Sequence, residues 1–326
     1  MSFDADHIVD RRRMRRKLAF WRVLAILVAI VAVGAVAFVL GGQSVSAPGR
    51  AQIARVTIRG LIRGDMERVE ALERLATASY ARAVIVHVDS GGGTTAGSEQ
   101  LHQALRLVAA QKPMVVVIDG LGASGAYIAA MASDHIVAQD TSLVGSIGVL
   151  FQYPNVGDLL DKIGVKIETV KSSPLKAAPS GYEPTSPEAR AAIDAIVKDS
   201  YAWFRGMVGE RRNLTGEALD RVADGRVFTG RQAIALKLID EIGNEKTAID
   251  WLAKQKGIDP KTPVRDWQLE SRLRDLSFLH LGAASVLDAL GLSALARRIE
   301  DAGTVQAIER LNLDGLLALW HPLSAN

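Results

Sequence analysis

A serine among small residues is the first candidate for chemistry in this chain. Ser124 lies within Gly122-Ala-Ser-Gly-Ala126, directly after the apolar residues 114–118 and before the helix-like residues 127–132. Small neighbours leave a serine hydroxyl accessible at a strand-to-helix turn, and the free N–H groups of a helix start suit a developing oxyanion. The segment alone does not separate a nucleophile from a capping or packing serine, because the Gly-x-Ser-x-Gly pattern of nucleophile elbows is absent.

A serine hydroxyl needs a positioned base, and histidine is the usual one. The six histidines lie in the terminal segments or within apolar strands and helices, so each is interpreted as structural: His7, His87, His102, His135, His280 and His321. A lysine can replace histidine where the loss of water favours its neutral form. Lys176 is the strongest candidate, because small and apolar residues and two prolines surround it. Three other lysines lie among polar residues and are predicted to be solvated surface: Lys162, Lys166 and Lys171.

A glycine-rich turn follows the buried-strand pattern of residues 83–88. It reads Asp89-Ser-Gly-Gly-Gly93. Backbone N–H groups without neighbouring side chains can face an oxyanion or a phosphate. From these residues alone, a flexible turn at the end of a strand is an equally good interpretation.

Alternating strand and helix patterns must position these residues. The patterns predict strands at 55–59, 83–88, 114–118, 135–139 and 143–151, and helices at 63–77 and 99–110. A long helix is predicted after Ser186 and Pro187, with an apolar face of Ile193, Val197, Phe204 and Val208. This βαβα order predicts an α/β layered fold with largely parallel strand pairing. Short amphipathic helices are predicted beyond residue 262, for example at 287–298 and 308–320, and we interpret them as an appendage or assembly element.

An apolar run near the amino terminus predicts a membrane anchor. Val23 to Leu40 is 18 uncharged, mostly aliphatic residues, and as a helix it would span about 27 Å at roughly 1.5 Å per residue. Seven Lys and Arg residues lie within residues 1–22, which predicts a cytoplasmic amino terminus and an extracytoplasmic body. A cleaved signal peptide is the competing interpretation, because Val45-Ser-Ala47 resembles a cleavage site.

Composition and charge limit the class of protein. The chain is 48% hydrophobic and 23% charged, which excludes global disorder. Beyond residue 22 the chain has 32 basic and 33 acidic side chains, so the basic balance of the whole chain does not indicate nucleic-acid binding. Cysteine is absent, and this decides nothing about the compartment.

With these segments, the chain resembles the signal peptide peptidase A family, the serine–lysine proteases of the ClpP/crotonase fold. The resemblance runs from about Ala54 to Gly257. Five segments carry it in order: residues 87–93, 123–127, 145–149, 173–176, and 225–230 together with 238–243. It implies Ser124 as nucleophile and Lys176 as general base, with oxyanion donors from Gly92, Gly93 and Gly125. It also implies a ring-like homo-oligomer, and no cofactor or metal.

The glycine-rich turn departs from the family pattern. The turn usually reads Asn-Ser-Pro-Gly-Gly, whereas Asp89 and Gly91 replace the asparagine and the proline here. Losing the proline is expected to loosen the loop. Lys237 stands where a glycine is common, and none of these changes removes a catalytic group.

The resulting hypothesis is a membrane-anchored serine endopeptidase that cleaves signal peptides or other unfolded exported chains. It would lie in a bacterial cytoplasmic membrane with its catalytic domain outside the cytoplasm. The predicted parts are a basic segment, an anchor, a linker, a protease domain and a helical extension: residues 1–22, 23–42, 43–52, 53–257 and 258–326. The alternatives are a crotonase-like acyl-CoA enzyme and a catalytically inactive membrane scaffold.

Overall fold

The computed structural model describes residues 51–269 and 316–320, and also residues 17, 20–22 and 24, which are helical. The chain divides into two compact units, residues 1–50 and 51–326. Among the described residues no helix is long and apolar enough to cross a membrane. The predicted anchor, apart from Leu24, lies outside those residues, as does the helix predicted at 287–298.

Residues 51–269 and 316–320 form eleven strands and eight helices. The strands are Gln52–Arg59 (β1), Ala81–Ser90 (β2), Gly92–Thr94 (β3), Met114–Ala123 (β4), His135–Ala138 (β5), Leu143–Gly145 (β6), Leu150–Phe151 (β7), Val227–Thr229 (β8), Glu241–Ile242 (β9), Val264–Asp266 (β10) and Leu316–Leu319 (β11). The helices are Met66–Thr77 (α1), Thr95–Gln111 (α2), Gly125–Ala130 (α3), Gly157–Lys162 (α4), Pro187–Arg212 (α5), Gly216–Val222 (α6), Gly230–Ala235 (α7) and Glu245–Lys256 (α8).

The main sheet has the order β10-β1-β2-β4-β5-β9, and all of these pairs are parallel. At the carboxyl end of β4, strand β6 adds in parallel and β8 then pairs with β6 in antiparallel. The α/β prediction with largely parallel pairing is therefore confirmed. A parallel sheet covered on both faces needs apolar residues on both sides of each strand.

The core lies on the two faces of this sheet. Val116 and Ile118 of β4 pack into the larger cluster, which includes residues of α1, α2 and α3. Val115 and Val117 point to the other face, where Ala248 of α8 completes a smaller cluster. The alternation of neighbouring residues between two apolar clusters explains why residues 114–118 form an unbroken hydrophobic run.

The long helix α5 begins where the sequence predicts. The Ser186 side chain accepts a hydrogen bond from the Ala189 N–H at 3.1 Å, and Pro187 occupies the first helical position. Of the predicted apolar face, Phe204 and Val208 are fully buried. Ile193 and Val197 are only half-buried.

Two predictions of secondary structure are wrong. The strand predicted at 143–151 is divided into β6 and β7, because Gly145 and Ser146 both have positive φ and turn the chain. The helix predicted at 308–320 is wrong at residues 316–319, which form β11. This strand pairs in antiparallel with β3 on one side and with β7 on the other. A short apolar run fits a strand or a helix, and pairing with two free strand edges decides between them.

Candidate active site

Ser124 lies in a strained turn between β4 and α3. Its φ of 56° and ψ of −120° fall in a region that residues other than glycine rarely adopt. The Ser124 N–H donates to the Gly145 carbonyl at 2.8 Å, and the Ser124 carbonyl accepts from the N–H groups of Tyr127 and Ile128. The Ser124 side chain makes no capping hydrogen bond to α3. A strained strand-to-helix turn whose serine hydroxyl does not cap the helix is the geometry of a nucleophile elbow.

The small residues around Ser124 are required by packing. A Cβ atom on Gly125 would lie 2.2 Å from the Ser98 Oγ, and one on Gly122 would lie 2.8 Å from the Ile118 Cδ1. Neither position has room for a side chain. The small-residue motif therefore reflects the close approach of β4 and α2 to this turn.

The glycine-rich turn lies directly against Gly125. A Cβ atom on Gly92, where φ is +98°, would lie 2.6 Å from the Gly125 backbone nitrogen. A Cβ atom on Gly125 would lie 3.1 Å from the Gly93 nitrogen. The structure thus brings together the three glycines that the resemblance implies as oxyanion donors.

The backbone N–H groups of these glycines differ in what they contact. The Gly92 N–H donates to the Ser90 Oγ at 3.0 Å, and the Ser90 hydroxyl donates in turn to the Gly60 carbonyl at 2.6 Å. The Gly125 N–H belongs to the first residue of α3 and therefore has no acceptor within the helix. The Gly125 N–H is thus better placed as a donor than that of Gly92, whose missing side chain keeps the space open.

Lys176 is exposed on the loop between α4 and α5. Its backbone N–H donates to the Ser173 carbonyl at 3.1 Å, and the next residue, Ala177, has a φ of 58°. In the described part of the chain, no hydrogen bond or ion pair joins the Lys176 side chain to Ser124 or to another residue. The pairing of these two residues stays a prediction.

One of the neighbouring lysines is not the solvated residue that the sequence predicts. The Lys171 side chain is only 18% exposed, and its Nζ contacts a Glu183 carboxylate oxygen at 3.0 Å. Lys162 and Lys166 are exposed, as predicted. Glu183 follows Lys171 by 12 residues. The two lie on a loop, where no helix or strand period predicts which side chains meet, so this ion pair could not be predicted from the sequence.

The histidines within residues 51–269 have structural partners. His102 Nδ1 lies 2.8 Å from the Ile128 carbonyl oxygen, and burial lowers the pKa of His102. His135 stacks on the Trp251 ring at 4.7 Å between centroids. These contacts agree with the interpretation of the histidines as structural.

His87 belongs to a polar network that sequence analysis missed. Its Nδ1 lies 2.9 Å from an Asp119 carboxylate oxygen and its Nε2 lies 2.8 Å from a Glu245 carboxylate oxygen. Arg55 donates to both oxygens of the Glu245 carboxylate, at 2.6 and 2.7 Å. This bidentate pair lowers the pKa of Glu245. A histidine within the apolar pattern of β2 was the one indication of this network in the sequence. The network could not be predicted from it, because the partners of His87 lie on other strands and on α8.

Strand β11 lies beside the glycine-rich turn. Its Ala318 carbonyl oxygen would be 2.1 Å from a Cβ atom on Gly92 and 2.9 Å from one on Gly125. Among the described residues, no group of three or more His, Cys, Asp or Glu residues is arranged to hold a metal ion.

An elbow serine beside backbone donors is the arrangement of an acyl-transfer hydrolase. The family model described as Peptidase family S49 matches residues 106–259. A provisionally named protease of Synechocystis sp. is 35% identical over 213 residues, which cover 65% of this chain and 76% of that protein. The chain belongs to peptidase family S49 and is of the signal peptide peptidase A type.

Two further likenesses are more partial. The chloroplastic serine protease SPPA of Arabidopsis thaliana is 31% identical over 216 residues, which cover 66% of this chain and 30% of that protein. A solved ClpP1 mutant from Listeria monocytogenes aligns with a TM-score of 0.39 and 13% identity, over 58% of this chain and 91% of that one. A likeness as distant as the latter carries no argument, so the ClpP/crotonase assignment stays a prediction.

Proposed function

We propose that this S49 peptidase is a serine endopeptidase in which Ser124 is the nucleophile and Lys176 is the general base. The backbone of Ser124 carries the proposal, because strain at a non-glycine residue persists only where the surrounding structure holds it. Ser124 is held by hydrogen bonds on both sides of the turn, and Gly93 and Gly125 lie beside it.

The chemical steps follow from this arrangement. The neutral Lys176 amine takes the proton of Ser124 as its Oγ attacks a peptide carbonyl. The N–H groups of Gly93 and Gly125 donate to the oxyanion, and each such donor contributes about 10²–10³-fold to the rate. The lysine then gives its proton to the leaving amine, and a water molecule hydrolyses the acyl-enzyme.

We propose that a second copy of the chain covers the Lys176 loop in a ring-like homo-oligomer. Several apolar side chains are exposed around this loop: Leu159, Ile163, Val165, Ile167, Val170 and Leu175. Several large exposed apolar side chains within one short segment favour a contact between proteins. Burial there would exclude water from the Lys176 amine, and loss of water favours the neutral form that a base requires.

We propose extended peptides as substrates, including signal peptides and other exported chains. Strands β3 and β7 each present an edge that accepts an antiparallel strand, and such an edge binds a peptide through its backbone. The apolar run at 23–40 would anchor the enzyme in a bacterial cytoplasmic membrane, with the catalytic domain outside the cytoplasm.

Covalent labelling of Ser124 tests the nucleophile. The folded full-length chain is treated with a fluorophosphonate probe, and the labelled residue is found by peptide mass spectrometry. We expect labelling at Ser124 that Ser124→Ala and denaturation abolish, while Ser172→Ala, at an exposed serine, leaves it unchanged. Cleavage of an apolar peptide by Ser124→Ala at the wild-type rate would refute the assignment. Labelling that fails in a folded chain would favour the inactive scaffold, and binding of coenzyme A would favour the acyl-CoA enzyme.

A further inference from the structure

Ser90 is the buried last residue of β2, where the strand passes into the glycine-rich turn. Val88 pairs with Ile118 on β4, and the next registered pair is Ser90 with Gly122, two residues before Ser124. A step of two residues on β2 therefore corresponds to a step of four on β4. Irregular pairing of this kind re-aims side chains and is common beside active sites. Ser90 thus adjoins both the glycine-rich turn and the elbow.

The Ser90 hydroxyl joins two backbone segments. It donates to the Gly60 carbonyl at 2.6 Å and accepts from the Gly92 N–H at 3.0 Å. A hydroxyl has one proton to donate, so the bond to Gly60 uses that proton and leaves the oxygen lone pairs for the Gly92 N–H. Ser90 and Gly92 are both buried, where an unpaired polar group is costly. One side chain therefore ties the residue after β1 to the glycine-rich turn.

The glycine-rich turn has little order of its own. Residues 91–93 are three glycines, and glycine loses more conformational freedom on folding than any other residue. The turn must nevertheless hold Gly92 at a φ of +98° against the backbone nitrogen of Gly125. The Ile62 N–H donates to the Gly92 carbonyl at 2.9 Å. In the described part of the chain, the bond from Ser90 is the one hydrogen bond that a side chain makes to residues 91–93.

We propose that Ser90 is a positioning residue for the oxyanion site, because its hydroxyl holds the glycine-rich turn in place beside Gly125. The inference rests on the proposed function, since it concerns the same nucleophile and the same oxyanion. Ser90 acts through the turn and does not itself touch the substrate. Donors that are already in place need no reorganisation when the oxyanion forms. Without the hydroxyl, the three glycines are free to move and this advantage is lost.

Three substitutions at Ser90 separate hydrogen bonding from packing. Ser90→Ala removes the hydroxyl, Ser90→Cys keeps a small side chain that hydrogen-bonds weakly, and Ser90→Thr keeps the hydroxyl. Initial rates on an apolar peptide give kcat and KM for each full-length chain. We expect Ser90→Ala and Ser90→Cys to lower kcat about 10²-fold with little change in KM, because misplaced donors weaken binding of the transition state alone. Ser90→Thr should retain most of the wild-type kcat.

A peptide aldehyde reports on the oxyanion site itself. The Ser124 Oγ adds to the aldehyde carbon and its proton passes to the general base, so that the former carbonyl oxygen becomes the oxyanion. This oxygen accepts from the same N–H groups as the transition state does. The inhibition constant of the aldehyde should therefore rise about 10²-fold in Ser90→Ala, in parallel with the loss of kcat. A purely structural role would lower the stability of the fold and leave this constant unchanged.

Ser142 offers a matched control. Like Ser90 it is 2% exposed. Its hydroxyl contacts the carbonyls of Ile118 and Asp119 at 2.9 and 3.0 Å and accepts from the Gln139 N–H at 3.1 Å. Ser142→Ala therefore also leaves buried backbone groups without a partner, and it should lower the midpoint of urea unfolding as Ser90→Ala does. Its kcat and its inhibition by the aldehyde should stay close to those of the wild-type chain.

The outcomes separate this inference from the proposed function. If wild-type hydrolysis is lost in Ser124→Ala but Ser90→Ala or Ser90→Cys keeps the wild-type kcat, the positioning role is overturned and the proposed function stands. A loss of kcat as large in Ser142→Ala, or as large in Ser90→Thr as in Ser90→Ala, also overturns it, as does a rise in KM alone. A wild-type chain without Ser124-dependent hydrolysis refutes the proposed function, and this inference with it.

Discussion

The Tyr127 hydroxyl donates a 2.6 Å hydrogen bond to the Leu238 carbonyl, 111 residues further along the chain. Tyr127 is fully buried, and burial raises the pKa of its hydroxyl. The bond ties the helix that begins after Ser124 to the stretch 238–243, which is one of the family-like segments. This hydrogen bond therefore helps to hold the elbow in place through a segment that is distant in sequence.

Tyr127→Phe should lower the free energy of unfolding by about 1–3 kcal/mol, because it leaves the buried Leu238 carbonyl without its donor. Urea unfolding followed by circular dichroism measures this loss. Ser124 labelling by a fluorophosphonate should also become slower, since α3 loses a fixed contact. Tyr182→Phe is the control, because Tyr182 is 53% exposed, and its effect should stay within about 0.5 kcal/mol. Equal effects of the two substitutions would refute the role of the buried bond.

The framework of this fold could be predicted because its signals are local. Residues 114–118, and residues 83–88 apart from His87, are apolar on both faces, which is typical of strands inside a parallel sheet. Ser186 and Pro187 mark the start of α5 through contacts within four residues. The small residues beside Ser124 likewise predict a tight strand-to-helix turn, which the structure has.

The remaining features depend on partners distant in sequence. The carboxylate that contacts His87 from α8 is 158 residues away, and no periodicity connects Glu245 to β2. Residues 316–319 carry a short apolar pattern that suits a helix as well as a strand, and only the edges of β3 and β7 select the strand. The environment of Lys176 was predicted from neighbours in sequence, but those neighbours leave it exposed in the single chain.

Gly92→Ala should lower kcat/KM for peptide hydrolysis by about 10²-fold or more, the effect of losing one oxyanion contact. The new Cβ atom would lie 2.6 Å from the Gly125 nitrogen, inside the space that the oxyanion must enter. The φ of +98° adds backbone strain for any residue with a side chain. Initial rates on an apolar peptide measure the loss, and thermal unfolding shows whether the variant is folded.

A matched glycine substitution controls for this change. Gly206 lies within α5, and a Cβ atom there meets nothing within 4 Å. Gly206→Ala should raise the free energy of unfolding by about 0.5–1 kcal/mol, because alanine favours the helix interior, and should leave kcat/KM unchanged. A folded Gly92→Ala variant with wild-type activity would contradict the oxyanion assignment.

Glu245→Gln should destabilise the chain at neutral pH and not in acid. Arg55 lowers the pKa of Glu245 in the folded chain. As the pH falls, the Glu245 carboxylate is therefore protonated in the unfolded chain before it is protonated in the folded chain. The pair therefore stabilises the fold above about pH 4.3, the ordinary value for glutamate. That stabilisation is lost as the pH falls through the lower pKa of the folded state. We expect Glu245→Gln to lower the free energy of unfolding by about 1–2 kcal/mol at pH 7, measured by urea unfolding. The loss is smaller than for a fully buried pair, because these side chains are partly exposed.

The pH dependence distinguishes this pair from a general effect of charge. Glu73→Gln removes the same charge from an exposed position on α1, and it should change the free energy of unfolding by less than about 0.5 kcal/mol at either pH. A loss for Glu245→Gln that persists unchanged at pH 3 would show that packing, and not the ion pair, is responsible.

Lys176→Ala should reduce kcat for peptide hydrolysis by about 10³-fold or more, because a serine without its base is a poor nucleophile. Lys162→Ala removes an exposed lysine from the same surface and should retain full activity.

In the single chain the Lys176 side chain is exposed and makes no described contact with Ser124. If a neighbouring copy supplies the base, a mixture of Lys176→Ala and Ser124→Ala chains should regain part of the activity that each lacks. Subunit exchange followed by rate measurement checks this. Full activity of Lys176→Ala alone would refute the dyad, whereas an inactive mixture of chains shown to have exchanged would place the base and the nucleophile within one chain.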